Sequence, residues 1–277
     1  MLTTAAELLD ALPPDEPLLA LNVITLEYAE GIVLGAARAG RPVLLSISHN
    51  AVRFHGGLAP IASAAFALAE GASVPIGLHL DHCESADLVR EAADLGFGSA
   101  MIDASTLPYD RNVELTREVA DFGRSRGLWV EAELGEIGGK DGAHAPGVRT
   151  QPDEAAAFVA ATGVDGLAVA VGTSHAMTER TARPDVELIS ALASAVPVPL
   201  VLHGSSGVSD EALRAAAAAG IRKVNVGTQI SEAYTSTLRH EFSARSGADP
   251  RAALTAARAS IADVVERLLS ALAPVRS

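Results

Sequence analysis

The chain has 277 residues, 49% of them hydrophobic and 20% charged, with a formal net charge of −13. That size suits one barrel-sized domain or two small ones, and the apolar share builds a large core and argues against disorder. The acidic balance argues against the basic footprint of a nucleic-acid binder, the single cysteine, Cys83, excludes an intrachain disulfide and fits a reducing cytosol, and no apolar run reaches the roughly 18 residues of a membrane span. The opening MLTTAAELLDALPPDEP is polar and acidic rather than signal-like, so a cytoplasmic location is expected.

Short β-branched runs alternate with alanine-rich helical patterns from end to end. In chain order, strands are predicted at 18–24, 42–48, 75–81, 99–104, 128–134, 165–171, 199–204 and 223–228. Helical patterns run between and after them, near 25–40, 60–70, 84–95, 109–126, 152–162, 185–195, 209–219 and 229–243. Near-continuous apolar strands separated by helices imply a parallel sheet with covered faces. Eight such units in this length favour an α/β fold of the (β/α)8 TIM-barrel type over an open doubly wound sheet. No G-x-G-x-x-G follows the first strand, which weakens a dinucleotide-binding alternative. Ser85 and Ser209 are placed to cap helices, and Gly40, Gly71, Gly96, Gly127, Gly163 and Gly220 each stand just past one. Residues 250–272 form an additional C-terminal amphipathic helix that covers the barrel or reaches a neighbouring subunit. No linker or composition shift divides the chain, so a single domain over 1–277 is expected.

Two connections are long, at 135–151 and 172–184, and both leave strand C-terminal ends, the barrel face where active sites sit. Gly138, Gly139 and Gly142 make the first a candidate lid.

The chemistry gathers at the same ends. HLDHC (79–83) closes the third predicted strand, and positions i and i+2 of a strand share a face, so His79 and Asp81 point the same way. His82 joins the mouth if the strand ends at about Asp81. His175 and His203 end the sixth and seventh strands. Three imidazoles from three strands, with an aspartate alongside, offer three ligands and leave one coordination position open, which is the pattern of a catalytic zinc site. His79 lies deeper and is expected to orient a neighbour. Asp103 and Glu133 end the fourth and fifth strands, with Glu131 on the Glu133 face. They either hold a second metal position, orient the zinc histidines, or pair with arginines. HGSSG (203–207) and NVGT (225–228) end strands seven and eight, the usual phosphate-binding loops of a barrel. Only two lysines occur. Lys140 lies in the glycine-rich loop and Lys223 opens the eighth predicted strand, at the end of the barrel away from chemistry. Neither suits a desolvated Schiff-base nucleophile, so carbon–carbon cleavage on this barrel would need a metal as electron sink.

At VPIGLHLDHC, VEAELGEIGG, VGTSH, VLHGSSG and KVNVGT the chain resembles the class II, zinc-dependent ketose-bisphosphate aldolases, the fructose- and tagatose-bisphosphate group, over nearly its whole length. The resemblance implies Zn2+ on His82, His175 and His203, with Asp103 and Glu133 at the family's alternative metal position. It implies Asp81 as carrier of the proton of the hydroxyl released on cleavage. Gly204, Ser205 and Ser206, with Asn225, Val226, Gly227 and Thr228, match the family's dihydroxyacetone phosphate site, and Asn22 and Ser48 match strand-end positions lining its pocket. A second divalent or a monovalent cation and a homodimer or homotetramer are implied in the same way. The partner is then a small sugar phosphate, with no nucleic acid and no membrane.

The chain departs from the family around the substrate. Ala176, followed by Met177, stands where a phosphate-binding glycine is usual, Ser205 where glycine or alanine is common, and Gln229 where an acid is usual. SHNAVRFHGG replaces a proline-glycine-like turn. The lid reads GGKDG in place of a glutamate, which makes Asp141 the candidate second proton carrier. Two other readings stand beside the aldolase: a metal-dependent sugar-phosphate isomerase or epimerase, and a degenerate, non-catalytic zinc-binding barrel.

Overall fold

The computed structural model describes residues 1–134, 148–173, 180–244 and 246–274. In chain order the elements are α1 (Ala5–Ala11), β1 (Leu18–Asn22), α2 (Leu26–Ala39), β2 (Val43–Ser48), α3 (His49–His55), α4 (Ala59–Gly71), β3 (Ile76–Cys83), α5 (Ala86–Leu95), β4 (Ser99–Ile102), α6 (Tyr109–Arg126) and β5 (Trp129–Leu134). They continue as α7 (Pro152–Thr162), β6 (Gly166–Val169), α8 (Val186–Ala195), β7 (Leu200–Leu202), α9 (Asp210–Ala219), β8 (Ile221–Val226), α10 (Thr228–Ala244) and α11 (Arg251–Ala271). All eight strands pair in parallel with their neighbours, and β8 pairs back onto β1, closing the barrel. This is the (β/α)8 architecture expected, with α11 as the additional C-terminal helix.

The strands sort their side chains by alternation. Outward residues such as Leu19, Leu45, Leu78, Val130 and Val224 pack under the helices in the larger apolar cluster. Inward residues fill the barrel by depth. At the bottom, Leu18, Ala20, Leu44, Met101, Trp129, Ala168 and Val201 pack with Ala5, Leu8 and Leu9 of α1. That helix, absent from the predicted elements, starts with a capping box between Thr4 and Glu7. Its C-terminal carbonyls are held by Arg222, which donates to Leu9 O at 2.7 Å and Leu12 O at 3.1 Å. So the lower end is plugged with apolar groups, and polar side chains are confined to the middle and the mouth.

Punctuation follows the sequence reading with one exception. Ser85 and Ser209 cap α5 and α9 by accepting from Leu88 N and Ala212 N. Gly40, Gly96, Gly127, Gly163 and Gly220 take positive φ after their helices, whereas Gly71 is the last residue of α4 and Ala72 is its cap. No single helix among the described residues is long and apolar enough to cross a membrane.

Candidate active site

The third strand runs two residues further than expected, to Cys83, and still delivers His82 to the mouth. The reason is local. His82 has φ +45°, the only described non-glycine residue in the left-handed region, and the β3–β4 register shifts between Leu80 and Cys83. A left-handed residue reverses the alternation, so consecutive residues Asp81 and His82 both reach the same opening. The positive φ costs on the order of 1–3 kcal/mol, strain of the kind that collects at functional sites. Cys83 turns back into the core, where burial pushes its thiol up to about 11. It is therefore no nucleophile.

His82 has a carboxylate on one side and a second imidazole on the other. Its Nδ1 lies 2.8 Å from Asp103 Oδ2 and 4.0 Å from Glu133 Oε2. Its Nε2 faces His203 Nδ1 at 3.0 Å, and His203 Nε2 lies 2.8 Å from Glu131 Oε1. Each ring thus turns one N–H toward a carboxylate. The two nitrogens left facing one another are then both acceptors, an arrangement that repels unless a cation shares it. Two nitrogens on one tetrahedral zinc, each about 2.0–2.1 Å from it, stand roughly 3.3–3.4 Å apart, so the observed spacing suits a metal with little adjustment. Asp81, His82 and His203 bring one ligand atom apiece within 4.8 Å of one another, and His82, Asp103 and Glu133 form a second such group. The carboxylates behind both rings fix tautomer and orientation as outer partners of metal-bound histidines do.

His175 falls outside the described residues, as do Ala176 and Asp141. Thr173, two positions before His175, donates its hydroxyl to the His203 carbonyl at 2.7 Å, tying the end of that segment to the second histidine.

The cavity beside this cluster has a volume of ≈ 270 Å³. Asn22, Asp81, His82, His203, Gly204, Ser205, Ser206, Asn225, Gly227 and Thr228 line it, together with Ser231, which the sequence reading did not single out. Gly204 has φ +67° and starts a 3-10 turn, Ser205–Gly207, opposite the first turn of α10. The Ser205 hydroxyl donates to Asn225 O at 2.5 Å and so locks the two loops together. Amides at a helix start, serine hydroxyls and glycines that admit close approach are groups that suit an anion, and no lysine or arginine stands in the described lining. Of the other residues expected at the pocket, Ser48 ends β2 beside Asp81 in register, whereas Val226 does not face inward. Ser48 spends its hydroxyl on capping α3, accepting from Ala51 N at 3.2 Å. Val226 points outward into the core beneath the helices, because strand alternation puts its neighbour Asn225 inside. Gln229 also turns away from the cavity. It reaches Ser206 O at 3.5 Å and accepts from Arg267 at 3.0 Å.

Lys223 corrects the sequence reading. The strand begins at Ile221, not at Lys223, so the lysine lies inside the barrel, fully buried, on the same face as Asn225. Its ammonium is 2.8 Å from Glu131 Oε2, 2.6 Å from Asn225 Oδ1 and 3.5 Å from His79 Nε2. It is desolvated, contrary to expectation, but its three N–H groups all have acceptors and it is not in the cavity lining. A Schiff-base role is excluded by engagement, not by position. His79, also fully buried, bonds through Nδ1 to Ser99 Oγ at 2.9 Å. Burial, and then the Lys223 ammonium, hold its imidazole well below the usual range, so the ring is neutral. Asn225 Nδ2 in turn donates to Asp81 Oδ1 at 2.9 Å. The period-two rule applied to KVN would have placed Lys223 beside Asn225; the strand start, misjudged by two residues, hid it.

Known proteins share this sequence pattern and this fold. The family described as "Fructose-bisphosphate aldolase class-II" matches residues 5–274. The structure is similar to that of the YdjI aldolase from Escherichia coli K12, with a TM-score of 0.86 and 30% identity, covering 98% of this chain and 97% of that one. It is equally similar, at a TM-score of 0.86 and 29% identity, to a candidate fructose-1,6-bisphosphate aldolase from Coccidioides immitis, covering 97% and 95% of the two chains. A fructose-bisphosphate aldolase from Campylobacter jejuni shares the fold at a TM-score of 0.81 and 21% identity, over 98% and 95% of the chains.

Proposed function

Since this chain belongs to the class II fructose-bisphosphate aldolase family, and is an aldolase-type enzyme, we propose that it cleaves a ketose phosphate reversibly into dihydroxyacetone phosphate and an aldehyde, using zinc. The observation that carries the reading is the pair of ring nitrogens 3.0 Å apart, each ring backed by a carboxylate, with Asp81 next to them. His82 and His203 would hold the metal with His175 as third ligand, and Asp103 and Glu133 would serve an alternative position. When bound, zinc supplies a Lewis acid that stabilises the negative charge left on the ketose oxygens as the carbon–carbon bond breaks.

The chain's own residues do the rest. The phosphate rests on the backbone amides of Gly204 to Ser206 and of Gly227 and Thr228, with the Ser206 and Thr228 hydroxyls as side-chain donors, since the Ser205 hydroxyl is engaged by Asn225 O, and this holds the scissile bond at a fixed distance from Asp81. Asp81 takes the proton from the hydroxyl on the far side of that bond. The O–H pair becomes the aldehyde carbonyl, and the bonding electrons of the carbon–carbon bond pass to the ketose fragment. Asn225 keeps one Asp81 oxygen engaged and leaves the other for the substrate. The fragment's carbon is then reprotonated, a step assigned to Asp141.

The departures from the family pattern at 176, 205 and in GGKDG fall, by that resemblance, at positions that serve the substrate, and we place the preferred substrate among ketose phosphates other than fructose bisphosphate. A homodimer or homotetramer is the assembly proposed with it, measured by sedimentation velocity. The deciding experiment combines metal analysis with a retro-aldol panel of ketose mono- and bisphosphates. Triose release with about one zinc per chain is expected. Products that keep the intact carbon skeleton would make the protein an isomerase or epimerase, and absence of turnover on every member would leave the non-catalytic reading.

A further inference from the structure

One buried cation reaches three residues on which this site depends. Lys223 has no solvent exposure, and its Nζ donates to Glu131 Oε2, Asn225 Oδ1 and His79 Nε2. Behind each acceptor stands a second bond. Glu131 Oε1 accepts from His203 Nε2 at 2.8 Å. Asn225 Nδ2 donates to Asp81 Oδ1 at 2.9 Å. His79 Nδ1 meets Ser99 Oγ at 2.9 Å.

We propose that Lys223 is a positioning residue that sets the metal ligand and the proton carrier from a single point. Through Glu131 it fixes which nitrogen of His203 faces the metal. Through Asn225 it fixes which oxygen of Asp81 faces the substrate. The proposal rests on the roles given to His203 and Asp81 under Proposed function.

The physical reasons differ between the two arms. A carboxylate in a dry interior is costly without a cation beside it. Lys223 supplies that cation, and Glu131 then has one oxygen for the ammonium and one for the imidazole. His203 donates from Nε2, and its Nδ1 lone pair is left pointing at His82 and the metal position. An asparagine amide, by contrast, is ambiguous, with donor and acceptor ends of nearly the same shape. The ammonium draws the Asn225 oxygen to itself, which turns the amide nitrogen toward Asp81. Neither arm requires Lys223 to touch substrate, and the lysine is absent from the cavity lining.

Lys223→Met keeps the apolar stem and deletes the ammonium. Zinc affinity is read by competition with a chromophoric chelator, ligand geometry by the visible absorption of the Co2+-loaded protein, and turnover at saturating metal. Stoichiometric zinc on the wild-type protein is established first; if it binds none, the functional reading fails before Lys223 is at issue. With zinc bound by the wild type, Lys223→Met is expected to lose affinity on the order of 10–100-fold and to change the Co2+ spectrum. At saturating zinc its kcat stays depressed while KM is nearly unchanged, the mark of the Asp81 arm. Glu131→Gln leaves one acceptor oxygen where two are used. It should lose zinc affinity comparably, and at saturating metal lose less kcat than Lys223→Met, because the Asn225–Asp81 bond is kept. In Lys223→Met/Glu131→Gln the single amide oxygen at position 131 has no ammonium to serve and is free to turn to His203, so the double variant should bind zinc no more weakly than either single variant. Wild-type affinity and Co2+ spectrum in Lys223→Met would overturn the proposal, as would additive losses in the double variant. Should Lys223→Met fail to fold by circular dichroism, wild-type zinc affinity in Glu131→Gln would overturn it equally.

Discussion

A side chain that accepts a proton has to keep one lone pair free while something else holds the group still. Asp81 meets both conditions, since one oxygen is taken by Asn225 and the carboxylate is in the cavity wall. Asp81→Asn preserves the shape and the bond from Asn225 Nδ2, and removes only the capacity to accept the proton. Its kcat should fall on the order of 10²–10⁴-fold with zinc content unchanged, checked by steady-state rates and metal analysis on one preparation. Gly227 marks another single-atom constraint. A Cβ there would stand 2.9 Å from Asn22 Nδ2, and both residues line the cavity. Gly227→Ala should push Asn22 aside and raise KM for a phosphorylated ketose roughly tenfold, about the worth of one hydrogen bond to a charged group, while zinc affinity holds. Much of the site at this scale was legible. His82, His203 and Asp81 follow from strand ends, and the glycine-serine corner from strand number. The left-handed turn at His82 was not legible, because nothing in HLDHC distinguishes a residue that keeps the alternation from one that breaks it. Val226 was misplaced by treating a contiguous motif as if all its side chains faced one way.

Between elements, α2 and α11 approach closely enough that side chains have to be missing. A Cβ on Gly31 would lie 2.8 Å from Arg258 O, and one on Gly35 2.6 Å from Ala262 O and 2.7 Å from Val265 Cβ. Backbone on the facing helix cannot give way cheaply. Gly35→Ala gains about 1 kcal/mol in helix propensity but overpacks the contact by about 1–3 kcal/mol. A net loss is expected, seen as a lower urea midpoint with the slope unchanged. Strands and long helices read well from sequence because continuous apolar runs and capping residues both act within a few positions. The pieces that did not read, α1 and α3, are each seven residues long, too short for a period to declare itself. α1 is stable only because the barrel floor receives Leu8 and Leu9, a tertiary fact that no local pattern carries.

At the scale of the molecule, the barrel sets an apolar floor under a strongly acidic opening. Asp81, Asp103, Glu131 and Glu133 are all buried there, with Lys223 the only buried ammonium among the described residues. The divalent cation proposed for this opening would stabilise the folded chain as well as the reaction. Adding zinc at about a hundred times its dissociation constant should stabilise by about 2.7 kcal/mol, raising Tm by several degrees. Exhaustive chelation should reverse the shift, both measured by calorimetry. The inverted torsion at His82 bears on how such an assembly tolerates motion. Groups carried on separate staves drift apart whenever the cylinder breathes, and their spacing is only as good as the packing between them. Here the would-be ligand and the would-be base are joined by one peptide unit, so covalent geometry holds them a fixed step apart through any fluctuation that leaves that torsion intact.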